Sequence, residues 1–406
     1  MIFSPSRMGR LNKHALLRQL QKAGTASRAD LARSLGMSQP TAGKIADALI
    51  EQGVLEEIEV PGEAAENGGN TPRLGRPGRK LQLNRSQPKF LGLQLGLEET
   101  QLAELPLGGM DEDHWQVSFS VKKSQKDPAA EWERQLKAAA GKLGGKHFLG
   151  ILLSVPGVID SATGRILFSP NIHWSETADL PAIIRRIWPS PVLLVQEEQA
   201  LAFGHLTVYP ECEDFLLVDF GEGIGGAVIV QGKPLANPLP ISGELGHTPV
   251  LGNRRECGCG ATGCIETLLS TRGLLESFSQ THPKKTKSWH ALAEHLAENA
   301  LEPWLVESLE AAAAVIAGAL NVLGLRHVVI TGSLNELPPA VVEYLATAIK
   351  RGAMWARFGE VTCLTPPRRR TAGLAALGID HFLVPGDSHR HAGKIPFSRE
   401  LQRTEA

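Results

Sequence analysis

Three cysteines within eight positions, Cys257, Cys259 and Cys264, constrain this chain more than any other feature. They stand in ECGCGATGCIETLLS, Glu256 to Ser270, and the 406-residue chain holds five cysteines in all. Glycines at 258, 260 and 263 let the backbone turn sharply between the thiols. Upstream, GELGH supplies His247. A His-Cys-Cys-Cys set at close spacing suits tetrahedral zinc, and four protein ligands make a closed structural site. Three buried free thiols are the competing reading. An odd, clustered set argues against disulfides in any case. Cys212 and Cys363 are isolated and expected to be ordinary buried thiols.

Glu244 lies three residues before His247 and Glu266 two after Cys264. A metal pinning both segments would hold two carboxylates toward one pocket, where they suit the hydroxyls of a polyol or sugar. On spacing alone, both could equally be surface glutamates.

From Phe90 onward the pattern is α/β. KFLGLQLGL, HFLGILLSV, PVLLVQ, DFLLVDFGEGIGGAVIV and HVVITG read as buried strands, separated by helical stretches such as Pro303 to Leu323. No short repeat period is present. FGEGIGGAVIV (Phe220 to Val230) predicts a hairpin. Gly157 stands at a strand end and Asn171 on a loop, where ligands of open α/β sheets bind. The polar segment 386–406 is expected to be a loosely ordered tail.

The first segment differs in charge. Residues 1–90 hold fourteen Lys and Arg against eight Asp and Glu, and the remainder 28 against 35, although the net charge is only -1. An electropositive head on an acidic body suggests a polyanion partner. Three helices are predicted: Asn12 to Lys22, a second capped by Ser27 and stopped at Gly36, and a third capped by Ser38 with Pro40 in its first turn. Ala42, Ile45, Ala46 and Leu49 form the inner stripe of the third, with Gln39, Thr41, Gly43 and Lys44 outward. VLEEIEV and RKLQLN would then be the strands of a wing. Short helices with a tight 35–38 connection match a helix-turn-helix, whose third helix enters the major groove. Ser38, Gln39, Thr41 and Lys44 are the expected DNA contacts there. RLGRPGRK adds Arg73, Arg76 and Arg79, narrow enough to lie in an A·T-rich minor groove. The acidic run from Glu51 to Glu66 is expected to face away from the phosphates. A protein-interaction module with a solvated basic loop is the alternative.

Glu244-Leu-Gly-His247 and Cys257-Gly-Cys-Gly-Ala-Thr-Gly-Cys264-Ile-Glu266 resemble the signature of the ROK family (repressors, open reading frames, kinases). The resemblance extends over the whole chain, since regulators of that family carry a winged helix ending in a Gly-Arg-Pro segment. It implies a winged helix-turn-helix over 1–84, an actin-like (ribonuclease H-like) two-lobed body with zinc over 85–385, and a sugar in the cleft. Sugar contacts would fall on Glu244, His247 and Glu266, with Gly157 and Asn171 from the other lobe. The metal ligands would be His247, Cys257, Cys259 and Cys264. Family kinases hold ATP with Asp-x-Gly-Gly-Thr in the first strand turn, where this chain has Gln94-Leu-Gly96-Leu97-Glu98. Their second phosphate turn, Gly-Thr-Gly, is Gly221-Glu222-Gly223 here, and their Asn-Asp pair is Glu197-Glu198. A carboxylate facing phosphates is repulsive, and a base misplaced by about 1 Å can cost ~100-fold in rate. Glu198 is therefore read as a degenerate base beside Glu197 in the sugar pocket.

The expectation is a cytoplasmic, sugar-responsive transcriptional regulator, a repressor similar to those of glucose- and N-acetylglucosamine-responsive genes. It would bind double-stranded operator DNA as a homodimer or homotetramer, with structural zinc and without ATP. No membrane insertion is expected, because no run of about 18 apolar residues occurs. An ATP-dependent sugar kinase carrying a DNA-binding head is the alternative.

Overall fold

The computed structural model describes residues 5–59, 79–87, 89–108, 112–121, 126–144, 147–160, 163–235, 239 and 241–384. Arg73, Arg76 and the segment 386–406 lie outside the described residues.

Helix α1 (Pro5–Ala23) buries Leu16, Leu17 and Leu20. It starts earlier than the predicted Asn12; Met8 and Leu11 in its early turns are exposed and mark no buried face. A three-residue strand, β1 (Thr25–Ser27), follows. It is too short to show alternation and was not predicted. Ser27 caps α2 (Arg28–Ser34): its Oγ accepts from the Asp30 amide, and the Asp30 carboxylate accepts from the Ser27 amide. Gly36, at φ +62°, turns the chain into α3 (Gln39–Glu51), whose N-cap Ser38 accepts from the Thr41 amide. Helix α3 buries Ala42, Ala46 and Leu49, while Ile45 is only half-buried. Strands β2 (Leu55–Ile58) and β3 (Lys80–Leu83) pair antiparallel, and β1 adds to the far side of β3. The result is a winged helix.

The body contains two five-stranded sheets. In the first lobe β4 (Phe90–Leu95), β5 (Thr100–Leu105) and β6 (Val117–Phe119) run antiparallel. After α4 (Pro128–Ala140), β7 (Gly150–Val155) lies parallel to β4. A small hairpin, β8 (Val158–Asp160) and β9 (Arg165–Phe168), and α5 (Leu180–Ile187) lead to β10 (Val192–Gln196), parallel to β7. Helix α6 (Glu197–Val208) crosses to the second lobe.

There β11 (Phe215–Phe220), β12 (Ile224–Val230) and β13 (Lys233–Pro234) again run antiparallel, with the predicted hairpin between the first two. Helices α7 (Glu266–Leu269), α8 (Thr271–Thr281), α9 (Trp289–Glu298) and α10 (Pro303–Leu323) precede β14 (His327–Gly332), which lies parallel to β11. Helix α11 (Pro339–Gly352), β15 (Thr362–Leu364) parallel to β14, and α12 (Arg370–Gly378) complete the body. The sheet orders, β10-β7-β4-β5-β6 and β13-β12-β11-β14-β15, are one topology used twice. This is the duplicated α/β plan of an actin-like body.

Helix α10 is long and apolar enough to cross a membrane by composition. Here Leu305, Leu309, Ala313, Ile316 and Leu320 are buried in the second lobe's core. Helices α6 and α12 pack backbone to backbone. A Cβ on Gly373 would overlap the Ala200 carbonyl oxygen, and one on Gly204 that of Arg369, so neither position has room for a side chain. One apolar core joins Leu16, Leu20 and Leu49 of the winged helix to Phe90, Leu374 and Ile379 of the body.

Candidate functional site

A cavity of about 190 Å³ opens between the lobes. The first lobe supplies Gly157, just past β7, and Asn171 in the loop after β9. Glu197 and Glu198 enter from the first turn of α6. The second lobe supplies Glu244, His247 and Glu266. All seven residues expected around a sugar therefore line one cavity.

Gly157 has φ +100°, and a Cβ there would meet the Phe168 carbonyl, so the turn is restricted to glycine. The cysteine loop closes against the opposite lobe, where a Cβ on Gly258 would sit 2.9 Å from Asn171 Oδ1. Glu266, buried at the start of α7, accepts from the Ile224 amide at 3.1 Å, which fixes the carboxylate at the β11–β12 turn. Glu244 Oε2 lies 3.8 Å from His247 Nε2. Burial raises the Glu244 carboxyl above its ordinary range, helped by Glu266 and opposed by His247. Burial likewise pushes Glu198 well up, and the charge of Glu197 adds to it.

His247, Cys257, Cys259 and Cys264 converge, with ligand atoms all within 4.8 Å of one another. Cys257 Sγ is 3.5 Å from His247 Nδ1, and Cys259 Sγ is 3.7 Å from Cys264 Sγ. This cluster could hold a metal ion. Burial raises the Cys257 thiol, and burial with the neighbouring thiols pushes Cys264 up to about 12. Thiols that bind a metal cation release their protons to solvent and ligate as thiolates. Cys212 and Cys363 stand apart, each half-buried and raised by burial.

A second convergence, His282, His295 and Glu302, is a hydrogen-bonded network. Glu302 accepts from both rings and from the Trp304 indole, while Lys285 Nζ meets His295 Nδ1 at 2.7 Å.

Gln94, Glu197, Asp219, Arg368 and Arg370, all lining the cavity, are bonded to one another in two groups. Gln94 accepts from Arg370 Nη1 at 3.0 Å and donates to Glu197 at 3.2 Å, and Arg370 also bonds Glu197. Arg368 grips Asp219 with two bonds of 2.8 Å. Its Nη2 lies 2.9 Å from where a Cβ of Gly332 would be and closer still to that of Gly221, so the guanidinium covers the turns after β11 and β14. Burial opposes the charge of Asp219, but Arg368 prevails and holds its carboxyl low. Glu222 lines the cavity, whereas Glu98 lines a neighbouring one with Trp132 and Trp174. Sequence reasoning missed Asp219, Arg368 and Arg370. The run PPRRR before α12 was the available signal, three guanidiniums where a strand gives way to a helix.

On the head, Gln39 and Lys44 are exposed at the start of α3. Thr41, expected to face outward, is half-buried and its hydroxyl pairs with that of Ser38 at 2.8 Å. Arg79 donates to Glu57 at 2.6 Å, as does Arg28. Part of the acidic run thus anchors arginines across the wing. Arg73 and Arg76 lie outside the described residues.

Residues 122–375 match the model of the ROK family, and residues 10–56 match winged helix-turn-helix DNA-binding. A putative xylose repressor from Caldicellulosiruptor sp. (strain Rt8B.4) is 27% identical, over 65% of this chain and 67% of its own. The xylose repressor of Bacillus subtilis (strain 168) is 25% identical, over 92% of this chain and 96% of its own. Among solved structures, a ROK family transcriptional regulator, homolog of the E. coli MLC protein, superposes with a TM-score of 0.71. That match, at 20% identity, covers 93% of this chain and 98% of the other.

Proposed function

The chain belongs to the ROK family, and we propose that it is a sugar-responsive, DNA-binding transcriptional repressor of carbohydrate-utilisation genes. The observation that carries this reading is the coexistence, in one chain, of a winged helix and a carboxylate-lined interlobe cavity. In support, the xylose repressor of Bacillus subtilis (strain 168) aligns over 92% of this chain, and a ROK family transcriptional regulator has a similar fold over 93% of it.

In this reading the head, 1–84, reads operator DNA. Gln39 and Lys44 lie near bases or phosphates of the major groove, while Ser38 and Thr41 set the N-terminus of α3 that presents them. Arg73, Arg76 and Arg79 contact an A·T-rich minor groove or the backbone beside it. The sugar sits in the body, 85–385, against Gly157, Asn171, Glu197, Glu198, Glu244, His247 and Glu266. Zinc is the metal at His247, Cys257, Cys259 and Cys264. The sulfur–sulfur and nitrogen–sulfur separations of 3.7 and 3.5 Å match the edges of a tetrahedron built on Zn–S bonds of about 2.3 Å. Its role is structural, holding Glu244 and Glu266 at one wall.

We further propose that the body performs no phosphoryl transfer. Gln94 replaces a metal-binding carboxylate and is engaged with Arg370. The Arg368–Asp219 pair lies over the turns that would hold phosphate, and Glu198 replaces the catalytic aspartate.

Sugar binding shifts the lobes, and the two heads of a cytoplasmic homodimer, or a homotetramer built from it, change their separation. Half-sites about one helical turn apart require matched spacing, so a small rotation releases DNA. The ligand achieves this only by favouring one of the two states.

The test combines a thermal-shift screen against monosaccharides with operator binding. A sugar that raises the melting point should also weaken operator binding. Glu244→Ala should keep DNA affinity and lose the response. Magnesium-dependent ATP turnover with the same sugar would overturn the non-enzymatic reading.

A further inference from the structure

The interlobe cavity does not stand by itself. A second cavity, of about 320 Å³, adjoins it in the first lobe, and the two share Gly96, Leu97, Asn171 and Ile172. Gly96 and Leu97 belong to the turn between β4 and β5, and Asn171 and Ile172 to the loop after β9. At about 190 Å³ the first cavity is smaller than the roughly 300–1,000 Å³ usual for small-molecule sites. The two together fall within that range.

The lining of the second cavity differs in kind. Trp174 is half-buried on its wall and is backed by the fully buried Trp132, with ring centroids 6.2 Å apart. The Trp132 indole donates to Thr100 Oγ1 at 2.9 Å, which fixes the backing ring. Beside this aromatic wall stand His173, whose Nδ1 lies 3.0 Å from Glu176, and the carboxylates of Glu98 and Glu99. Glu98 is exposed, and Glu99 accepts from Gln101 at 2.7 Å. A rigid indole next to hydrogen-bonding groups suits a molecule with an apolar face and a polar edge. A pyranose ring has both, with C–H bonds across its face and hydroxyls around its rim.

From this adjacency we infer that the effector is an uncharged carbohydrate of at least two rings, one in the interlobe cavity and the next against Trp174. The inference rests on the sugar-binding reading above and sets the size of the ligand. The glycosidic link crosses the shared wall at Asn171. Glu98 then accepts from hydroxyls of the second ring while the indole covers its C–H face. A flat aromatic aglycone would stack on Trp174 but bring no hydroxyl donor to Glu98. A phosphorylated second unit would meet the carboxylates of Glu98 and Glu99 and be repelled. A monosaccharide fills the first cavity and leaves the second to water.

Calorimetry on the full chain compares monosaccharides with their dimers: D-glucose with cellobiose and maltose, D-xylose with xylobiose, and N-acetyl-D-glucosamine with N,N′-diacetylchitobiose. At least one disaccharide should bind about tenfold tighter, or more, than its own monosaccharide. Trp174→Ala should reduce that advantage to about threefold or less while leaving the monosaccharide within about threefold of its native affinity. Glu98→Gln, a change at an exposed side chain, should cut the advantage by about threefold or more and also spare the monosaccharide. Monosaccharide binding with no gain from a second ring overturns the inference, as does an advantage that survives undiminished in either variant. If no saccharide of either size binds, the sugar-binding reading itself fails, a result distinct from binding that ignores the second ring.

Discussion

Arg18 of α1 donates to the carboxylate of Asp380, just beyond α12, and its guanidinium stands 5.4 Å from the ring centroid of Phe203 on α6. His14 adds a contact of 3.1 Å to the same carboxylate. The first helix of the winged head is thus fastened to the two body helices that start in the cavity. Helix α6 begins with Glu197 and Glu198, and α12 begins with Arg370, which bonds Glu197. Because Gly204 and Gly373 let α6 and α12 touch through their backbones, the pair can move only as a unit.

This arrangement predicts that Arg18→Ala uncouples the molecule without disarming it. Operator affinity should stay within about threefold, while the effector-dependent change in that affinity should fall by about fivefold or more, given typical coupling energies. Operator titrations with and without the effector measure both. An unchanged response in Arg18→Ala and Asp380→Asn alike would show that α1 does not carry the signal.

Much of the site was legible before the fold. The signature glutamates, histidine and cysteines meet in space because two short segments are drawn to one point. The five long apolar runs became strands as expected. The duplicated topology was not legible. β6, β13 and β15 have three residues or fewer, too few for alternation to declare itself, and they complete the two matching sheets. The ion pairs Asp219–Arg368 and Glu197–Arg370 join positions 149 and 173 residues apart, which no local pattern encodes. The length of α1 was missed because Met8 and Leu11 in its early turns are exposed, and the half-burial of Thr41 because its hydroxyl turns back to the Ser38 cap.

The cysteine cluster predicts a measurable metal dependence. Elemental analysis should give about one zinc per chain for the native protein and a small fraction of that for Cys259→Ser. A strong chelator should lower the melting temperature by about 5–10 °C, corresponding to roughly 2–4 kcal/mol in a body of this size. Full zinc occupancy in Cys259→Ser would exclude that thiol as a ligand.

On the head, Lys44→Ala should weaken DNA binding nearly uniformly across sequences and reduce the salt slope by about one if it meets a phosphate. Arg79 offers a contrasting test. Glu57 holds it at 2.6 Å, so Glu57→Gln should free the guanidinium and steepen the salt dependence. A flat response to both substitutions would move the DNA surface away from α3 and the wing.

The last prediction concerns acid. His205 is buried on α6 between Tyr209 and Phe215, with ring centroids at 4.8 and 5.0 Å, and among the described residues neither ring nitrogen has a hydrogen-bond partner. Burial, aided by the charge of Arg369, lowers its pKa to about 4. Below about 6.5 the unfolded chain takes up a proton that the native ring refuses, so stability falls as pH falls, and the loss levels off near 4. The full effect amounts to roughly 3 kcal/mol for a shift of this size. Glu131 and Glu133, held at about 2 by Arg134 and Arg186, add their loss only below about 4.5. His205→Phe keeps an aromatic ring in the slot and removes the titration. Its melting temperature should therefore decline less between pH 6.5 and 4.5 than that of the native protein. Parallel curves would mean that the ring reaches a proton in the folded state.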